Sequence, residues 1–516
     1  MSSAILAPVH KRQLILRRLY PHPQQRRFLF LAVFSVALVV RLGPLLWNSA
    51  LRGGSLQYDD GVYFAAAQHL VVGQLPYRDF VLLHPPGIAL ALAPLAALSH
   101  IIGDANAFAA ARLLLIAVGA VNAALVAWIA GRQGAVAGAV GGLLYAVWWV
   151  AAGSETTVLL EPILNLLLLL AVALLTRQGS SPRRAVIAGM LVGASVGFKL
   201  WPVPVLLLLV AWLFWTSRRR EACQFVVGCA LSLAAIVSPF LTIAPRQMWN
   251  QVVIDQITRQ RIIGPGQSIA DRLVLYAGVS GHLYDKVPAA LVYLVAAAAL
   301  ASIILLVRTV PHGWLWCGIL CIQVAELLMA PLAGDETYSD FAAGSLAVLI
   351  GLAVGRGYEL LDHSRRRRFV SALGIALVVL LISSMAIGMK RAKTEAVYNS
   401  ALRSFAHQHK CVWATSTDAI LADQESRNME HGCDYPVDFT GLVLDENRAK
   451  GVVEKFFVPP TLSVWQRRAQ KELARSDAAI VTSGVWQRWS VATHEYFLSQ
   501  FKNVGHVGLL QLWSKR

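Results

Sequence analysis

The chain has 516 residues, of which 56% are hydrophobic and only 15% charged, and its mean hydropathy is +0.56. Apolar runs of about 17 to 25 residues, each long enough to cross roughly 30 Å of hydrocarbon, recur from residue 28 to residue 389, so a set of soluble domains, a disordered chain and a fibrous one are all excluded. The 46 Lys and Arg against 29 Asp and Glu give a net charge of +17, an excess that in a membrane chain marks cytoplasmic loops rather than a nucleic-acid surface.

Residues 1 to 27 carry Lys11, Arg12, Arg17, Arg18, Arg26 and Arg27 with no apolar stretch or cleavage-like site before them, so the first span is expected to stay as an anchor. Spans are predicted at about 28–47, 107–131, 134–152, 158–176, 185–199, 201–216, 222–243, 288–307, 313–333, 338–355 and 369–389. Eleven crossings put the termini on opposite sides. With a cytoplasmic amino terminus, nineteen basic residues fall inside, including Arg218 to Arg220 and Arg365 to Arg368, against seven in the outer loops before the tail. That bias supports the orientation. The apolar stretch 88–102 is left out of the count: it is short for a crossing, and including it would turn Arg183, Arg184 and the Arg218 run outward. It reads as an interfacial or re-entrant helix.

Residues 390–516 are polar, with β-like runs at Cys411–Thr415, Ala478–Ser483 and Val507–Trp513 among helical patterns. The expected fold is therefore a polytopic α-helical membrane protein carrying a small C-terminal extracytoplasmic α/β domain. Cys223, Cys229, Cys317 and Cys321 lie in apolar runs and read as small core residues. Cys411 and Cys433 lie in the tail, where an oxidising compartment would bond them and a reducing one would leave two thiols.

The first outer loop holds Tyr58-Asp59-Asp60-Gly61-Val62-Tyr63-Phe64, then Pro76-Tyr77-Arg78-Asp79-Phe80 and His84-Pro85-Pro86-Gly87. Adjacent carboxylates repel, which raises the pKa of at least one toward that of a general base. The alternative is that Asp59 caps a helix starting near Gly61 while Asp60 is solvated. A second acidic cluster, Glu155 and Glu161, falls in a short turn on the same side. Its members either face headgroups or, where they lie just inside an apolar run, carry function. Lys199, in Gly197-Phe198-Lys199-Leu200-Trp201-Pro202, is a cation between two apolar spans with no acid near it in sequence. It either snorkels to headgroups or neutralises a phosphate.

Taken together, the Asp59-Asp60 doublet, the Pro76 to Phe80 segment and His84-Pro85-Pro86-Gly87 resemble the GT-C superfamily of polyprenyl-phosphate-sugar-dependent glycosyltransferases, which includes protein mannosyltransferases and the lipid A aminoarabinose transferase. The family doublet is often Asp-Glu, and a basic residue often stands where this chain has His84. The resemblance covers roughly residues 28 to 245. It implies transfer of a sugar, mannose or arabinofuranose foremost, from a polyprenyl-phosphate donor to a glycan, glycolipid or protein acceptor at the outer face of the inner membrane. It implies Asp59 as base, Asp60 as positioning group, and Asp79, His84, Glu155, Glu161 and Lys199 as contacts to donor phosphate or substrate.

An amphipathic stretch from Trp249 to Ile262 with Arg259 and Arg261 is expected either along the interface over the site or as a solvated helix. The acidic turn Gly334 to Asp340 offers a further substrate contact. His84 and His282 are the outer histidines near these segments, but no His/Cys spacing indicates zinc; a divalent cation shared by carboxylates stays open. The rival function is a lipid or solute transporter. Transporters, however, tend to show internal repeats and midplane charges, whereas the acids here gather at one face.

Overall fold

The computed structural model describes residues 23–53, 57–257, 268–278, 289–329, 336–395, 400–433, 435–449 and 463–516. Lys11, Arg12, Arg17, Arg18, Arg259, Arg261, Ile262, His282, Lys286, Gly334 and Asp335 lie outside the described residues. A helix stands at each of the eleven apolar stretches: α1 Pro23–Trp47, then, after the short loop helices α2 Tyr58–Val71 and α3 Gly87–Ala96, α4 Asp104–Ala130, α5 Ala135–Val147, α6 Glu161–Leu175, α7 Pro182–Val196, α8 Pro202–Trp215, α9 Arg219–Ile243, α10 Ala289–Val307, α11 Gly313–Met329, α12 Asp340–Leu360 and α13 His363–Glu395. Six helical runs among the described residues, at 27–47, 104–133, 219–243, 289–307, 336–360 and 363–392, are long and apolar enough to cross a membrane alone. The chain is thus a multi-pass membrane protein.

The stretch omitted from the span count folds as two short pieces, α3 and a turn of helix at Ser99–Ile102. Ten residues rise only about 15 Å, half the hydrocarbon thickness. Helix α3 packs on α2 and α4.

In lipid the hydrophobic effect does not hold helices together, so close backbone approach through small residues must. Two seams do this. Gly189 and Gly193 of α7, four residues apart, face Phe225 and Cys229 of α9, and Gly228 of α9 faces Val186 of α7, so closely that a methyl group on Gly189 would overlap the Phe225 carbonyl. Gly351 of α12 lies on α5, where a Cβ would stand 2.5 Å from the Ala137 carbonyl oxygen and 3.0 Å from the Gly141 Cα.

The C-terminal segment forms a four-stranded sheet of β1 Val412–Trp413, β2 Ala478–Thr482, β3 Phe501–Val507 and β4 Leu510–Lys515 in the order β1-β2-β4-β3. The β1–β2 pair is parallel and the other two pairs are antiparallel. Short helices α14 Ser416–Leu421, α15 Phe439–Ala449 and α16 Ser463–Ala474 complete it. Its core is aromatic: Trp413, Trp489, Phe497, Phe501 and Trp513. Cys411 and Cys433 are joined by a disulfide. The expected run Val507–Trp513 is not one strand. It contains the β3–β4 turn, because Gly508 takes φ +57° and lets the chain reverse between Val507 and Leu510.

This sheet unit sits directly on the first loop. A Cβ on Gly61 would fall 2.5 Å from the Thr417 backbone nitrogen, so only glycine lets α2 and α14 meet.

Replacing Gly189 by Val is expected to part α7 from α9 and to lower stability by about 1–3 kcal/mol, the usual cost of overpacking. It is read as a lower thermal-unfolding midpoint in detergent. Gly374→Ala, at a helical glycine with nothing within 4 Å, should hold or raise the midpoint. Equal midpoints for both variants would contradict the seam.

Candidate active site

Helix α2 begins at Tyr58, with Gln57 in the cap position making no side-chain cap bond. Asp59 and Asp60 therefore occupy its first turn, where a carboxylate is favoured by the helix dipole, and Asp59 is not the cap. Asp60 is also the opposite of solvated. Its side chain is fully buried, its Oδ2 lies 3.2 Å from Nη2 of Arg112 on α4, and its Oδ1 accepts from the Thr417 hydroxyl at 3.4 Å. Burial pushes the Asp60 carboxyl up to about 6 despite the opposing pull of Arg112. Asp59 is half-buried. The flanking Tyr58 hydroxyl donates to Asp438 Oδ1 at 3.2 Å, tying the loop again to the C-terminal unit.

Tyr63, one turn along α2, gathers the remaining parts. Burial raises its phenol above the ordinary range, and the negative charges of Asp59 and Glu161 raise it further. Asp59 and Glu161 thus lie within electrostatic reach of the same hydroxyl. The His84 ring meets the Tyr63 ring edge-on at 5.7 Å between centroids, while the His84 carbonyl accepts from the Tyr77 hydroxyl at 2.7 Å. The Pro-Pro-Gly turn then docks on the far motif: the Gly87 amide donates to the Gly197 carbonyl at 2.9 Å, and a Cβ at Gly87 would stand 2.5 Å from that oxygen. This contact places residues 84–87 beside the segment that ends in Lys199.

Lys199 does have an acidic partner, contrary to its isolation in the sequence. Its Nζ lies 2.6 Å from Glu161 Oε1, both side chains being buried. The same ammonium stands 3.3 Å from the centroid of the Trp201 ring and 4.6 Å from that of Tyr338. A carboxylate and two π-faces hold the cation where lipid would otherwise reject it. Snorkelling to the headgroups does not describe it.

Two further expected site residues have their carboxylates engaged by neighbouring side chains and amides. Glu155 is wholly buried: its Oε2 accepts from Arg41 Nε at 2.6 Å, and its Oε1 accepts from the Tyr145 hydroxyl at 2.8 Å and from Asn122 at 3.2 Å. Tyr145 and Asn165 reach on to Asp340 at 3.3 and 3.0 Å, so this network braces the bundle. Asp79 is partly exposed and spends its oxygens on the neighbouring Arg78 and the Leu75 amide. Pairing with Arg78 holds its carboxyl below the ordinary range.

Sequence reasoning missed Arg41, Arg112, Trp201 and Tyr338, although two arginines inside apolar runs were visible and ionisable groups there are expensive. Of the stretch from Trp249 to Ile262, residues 249–257 are described, and they make contacts with the first loop and the C-terminal unit. Gln251 accepts from the Leu82 amide at 3.1 Å, Gln256 donates to the Leu83 carbonyl at 2.9 Å, and Asp255 pairs with Arg448 of α15 at 2.6 Å. The segment clamps the first loop to the C-terminal unit. Of the turn at 336–340, Glu336 pairs with Arg391 at 2.8 Å, while Asp340 belongs to the bracing network. No group of three or more His, Cys, Asp or Glu suited to a metal ion occurs among the described residues.

Residues 82–331 match the model of Glycosyltransferase family 87. ArnT from Cupriavidus metallidurans, in a crystal structure bound to undecaprenyl phosphate, is 13% identical with a TM-score of 0.58, the match covering 94% of this chain and 97% of that one. The oligosaccharyltransferase of Archaeoglobus fulgidus, in a crystal structure tethered to an acceptor peptide, is 10% identical with a TM-score of 0.54 over 95% of this chain and 74% of that one. A further structure of that archaeal enzyme, in complex with an inhibitory peptide and a dolichol-phosphate, is 11% identical with a TM-score of 0.50, covering 95% and 74%. No curated protein matches by sequence. The fold is the GT-C fold, and residues 82–331, from just after the Pro76–Phe80 segment, match a glycosyltransferase family model.

The Asp60–Arg112 pair is expected to be costly to break from one side only. Arg112→Met should destabilise by about 3–5 kcal/mol by leaving a buried carboxylate unpaired, and adding Asp60→Asn should recover at least half. Thermal unfolding of the two single variants and the double variant checks it. A double variant no more stable than Arg112→Met would remove the pair from the account.

Proposed function

We propose that the protein transfers a glycosyl unit from a polyprenyl-phosphate donor to an acceptor hydroxyl. The observation that carries this reading is the docking of the His84–Gly87 turn on Gly197, two residues before the Lys199–Glu161 pair, with Asp59 and Glu161 in electrostatic reach of one Tyr63 hydroxyl, because the reaction needs a base and a phosphate partner on either side of one sugar carbon. As the acceptor oxygen bonds to the anomeric carbon, its proton passes to the Asp59 carboxylate. The bond from that carbon to the phosphate oxygen breaks, and the electron pair leaves with the polyprenyl phosphate. Lys199 meets that charge. An ammonium has three donors, and Glu161 takes one, so the pair with Glu161 orients the cation while leaving N–H groups for phosphate.

Asp60 positions rather than reacts, since Arg112 and Thr417 hold it and fix the first turn of α2. His84, beside Tyr63, is placed to bind the donor or the acceptor. The structural neighbours whose complexes contain undecaprenyl phosphate and dolichol-phosphate support a lipid-linked donor, and the family 87 match over residues 82–331 supports glycosyl transfer. Mannose and arabinofuranose are the sugars proposed, and a cell-envelope glycan or glycolipid the acceptor, ahead of a protein. The chain is proposed to sit in the inner membrane with its amino terminus cytoplasmic and residues 390–516 outside. The Cys411–Cys433 bond supports that side for the tail, since disulfides persist in oxidising compartments.

Asp59→Asn keeps the side chain's shape but cannot take a proton, so transfer should fall about 10²-fold or more with donor binding retained. Lys199→Met should mainly raise the donor KM and also slow the chemical step, because phosphate charge is present in the bound donor and grows on departure. Steady-state kinetics on folded variants separate the two patterns. Near-normal transfer by Asp59→Asn would sink the assignment of the base.

A further inference from the structure

We propose that the cavity between the first loop and the C-terminal sheet unit is a carbohydrate-binding site that takes the glycan of the acceptor; the word acceptor rests on the transfer reading above. The cavity encloses about 310 Å³, at the lower end of the roughly 300–1,000 Å³ of ligand pockets, which suits a short glycan segment rather than a polymer. Its walls are Tyr58 of α2 with Trp413, Tyr435 and Trp465, and among these rings stand Asp418 and Arg488. A sugar ring presents apolar C–H faces and a polar hydroxyl rim. Flat aromatic side chains cover the first, and a carboxylate with a guanidinium takes the second.

Asp418 gives the independent sign of a ligand. Its residue is 1% exposed, its Oδ2 accepts from the Thr415 hydroxyl at 2.6 Å, and its Oδ1, buried, has no hydrogen-bond partner among the described residues. A buried carboxylate oxygen without a donor is costly, and a sugar hydroxyl supplies one. Arg488, a lining residue, is half-buried and lies over the Trp465 ring at 5.8 Å from its centroid.

Two features favour an acceptor glycan over the donor lipid. Among the described residues, none of a membrane-spanning helix lines the cavity, so a polyprenyl chain has no apolar channel from them, and Arg488, the one lining cation among them, beside the carboxylates of Asp418 and Glu472, is a poor phosphate cradle. In addition, Tyr58 immediately precedes Asp59, and the charge of Asp60 acts on Asp418, so a glycan held here lies next to the acidic doublet.

The test uses the full-length protein in lipid nanodiscs, probed with methyl α-mannopyranoside, methyl α-arabinofuranoside, an α-linked mannotriose and a Ser/Thr-rich hexapeptide. Saturation-transfer NMR and quenching of tryptophan fluorescence report binding. At least one glycoside should bind with a Kd of about 1 mM or tighter. Asp418→Asn and Arg488→Met should each weaken it about tenfold or more, the size of a lost charge-assisted hydrogen bond, while Lys502→Met, at an exposed position of β3 away from the cavity lining, leaves it within about twofold. Arg488 lies at the rim, so its variant reads out even if Asp418→Asn fails to fold. No glycoside binding by the unaltered protein, binding indifferent to Arg488→Met, or binding of the peptide alone would each overturn the proposal. Glycoside binding by a protein that transfers no sugar from any polyprenyl-phosphate donor would instead overturn the transfer reading and leave the cavity standing.

Discussion

A charged side chain carried among apolar helices stays charged only beside a partner of opposite sign, and among the described residues three buried pairs meet that constraint. Asp60 has Arg112, Glu155 has Arg41, and Glu161 has Lys199, all buried. Each pair joins segments far apart in the chain, so the pairs act as registers: α2 is fixed against α4, the turn before α6 against α1, and the start of α6 against the residue leading into α8. Replacing such pairs by hydrophobic residues is often neutral or stabilising. Their value here lies in where they put the charges. Two of the three stand at the proposed reaction centre, and the third braces the helices beneath it through Tyr145, Asn165 and Asp340.

Around these pairs the glycines set distances that side chains would forbid. Gly61 lets the C-terminal unit rest on the acidic helix, and Gly87 lets the Pro-Pro turn hydrogen-bond to Gly197. The clamp from Gln251 to Asp255 then joins loop, bundle and sheet unit. The C-terminal unit is thereby part of the site's construction. It supplies Thr417 to Asp60 and Asp438 to Tyr58, which gives a physical reason for a bundle of membrane helices to keep a polar tail packed on its first loop.

Much of this was legible in the sequence because it is periodic or local. The apolar runs mark the helices, the shortness of 88–102 foretells α3, the tail position of Cys411 and Cys433 singles them out as the candidate pair, and the doublet and Lys199 stand out against apolar surroundings. What was not legible is pairing at a distance. Lys199 looks solitary because Glu161 lies 38 residues away, and Glu155 looks unpaired because Arg41 lies 114 residues away. Local pattern carries no information on which distant partner an acid will meet. Even so, the presence of Arg41 and Arg112 inside apolar runs already required acids opposite them, and counting those cations would have claimed Glu155 and Asp60. The Val507–Trp513 run erred differently: alternation suggested one strand, while Gly508 permitted a hairpin.

The claim on which the account rests is that a sugar leaves a polyprenyl phosphate at this site. It is tested most directly by incubating the purified protein in nanodiscs with polyprenyl-phosphate mannose and polyprenyl-phosphate arabinofuranose, each labelled in the sugar, together with extracted envelope glycolipids as acceptor. The account predicts that label from one donor moves to the glycolipid fraction, with an equal amount of bare polyprenyl phosphate released. Donors that stay intact under these conditions, while the same vesicles show protein-dependent movement of lipid or solute across the bilayer, would contradict it.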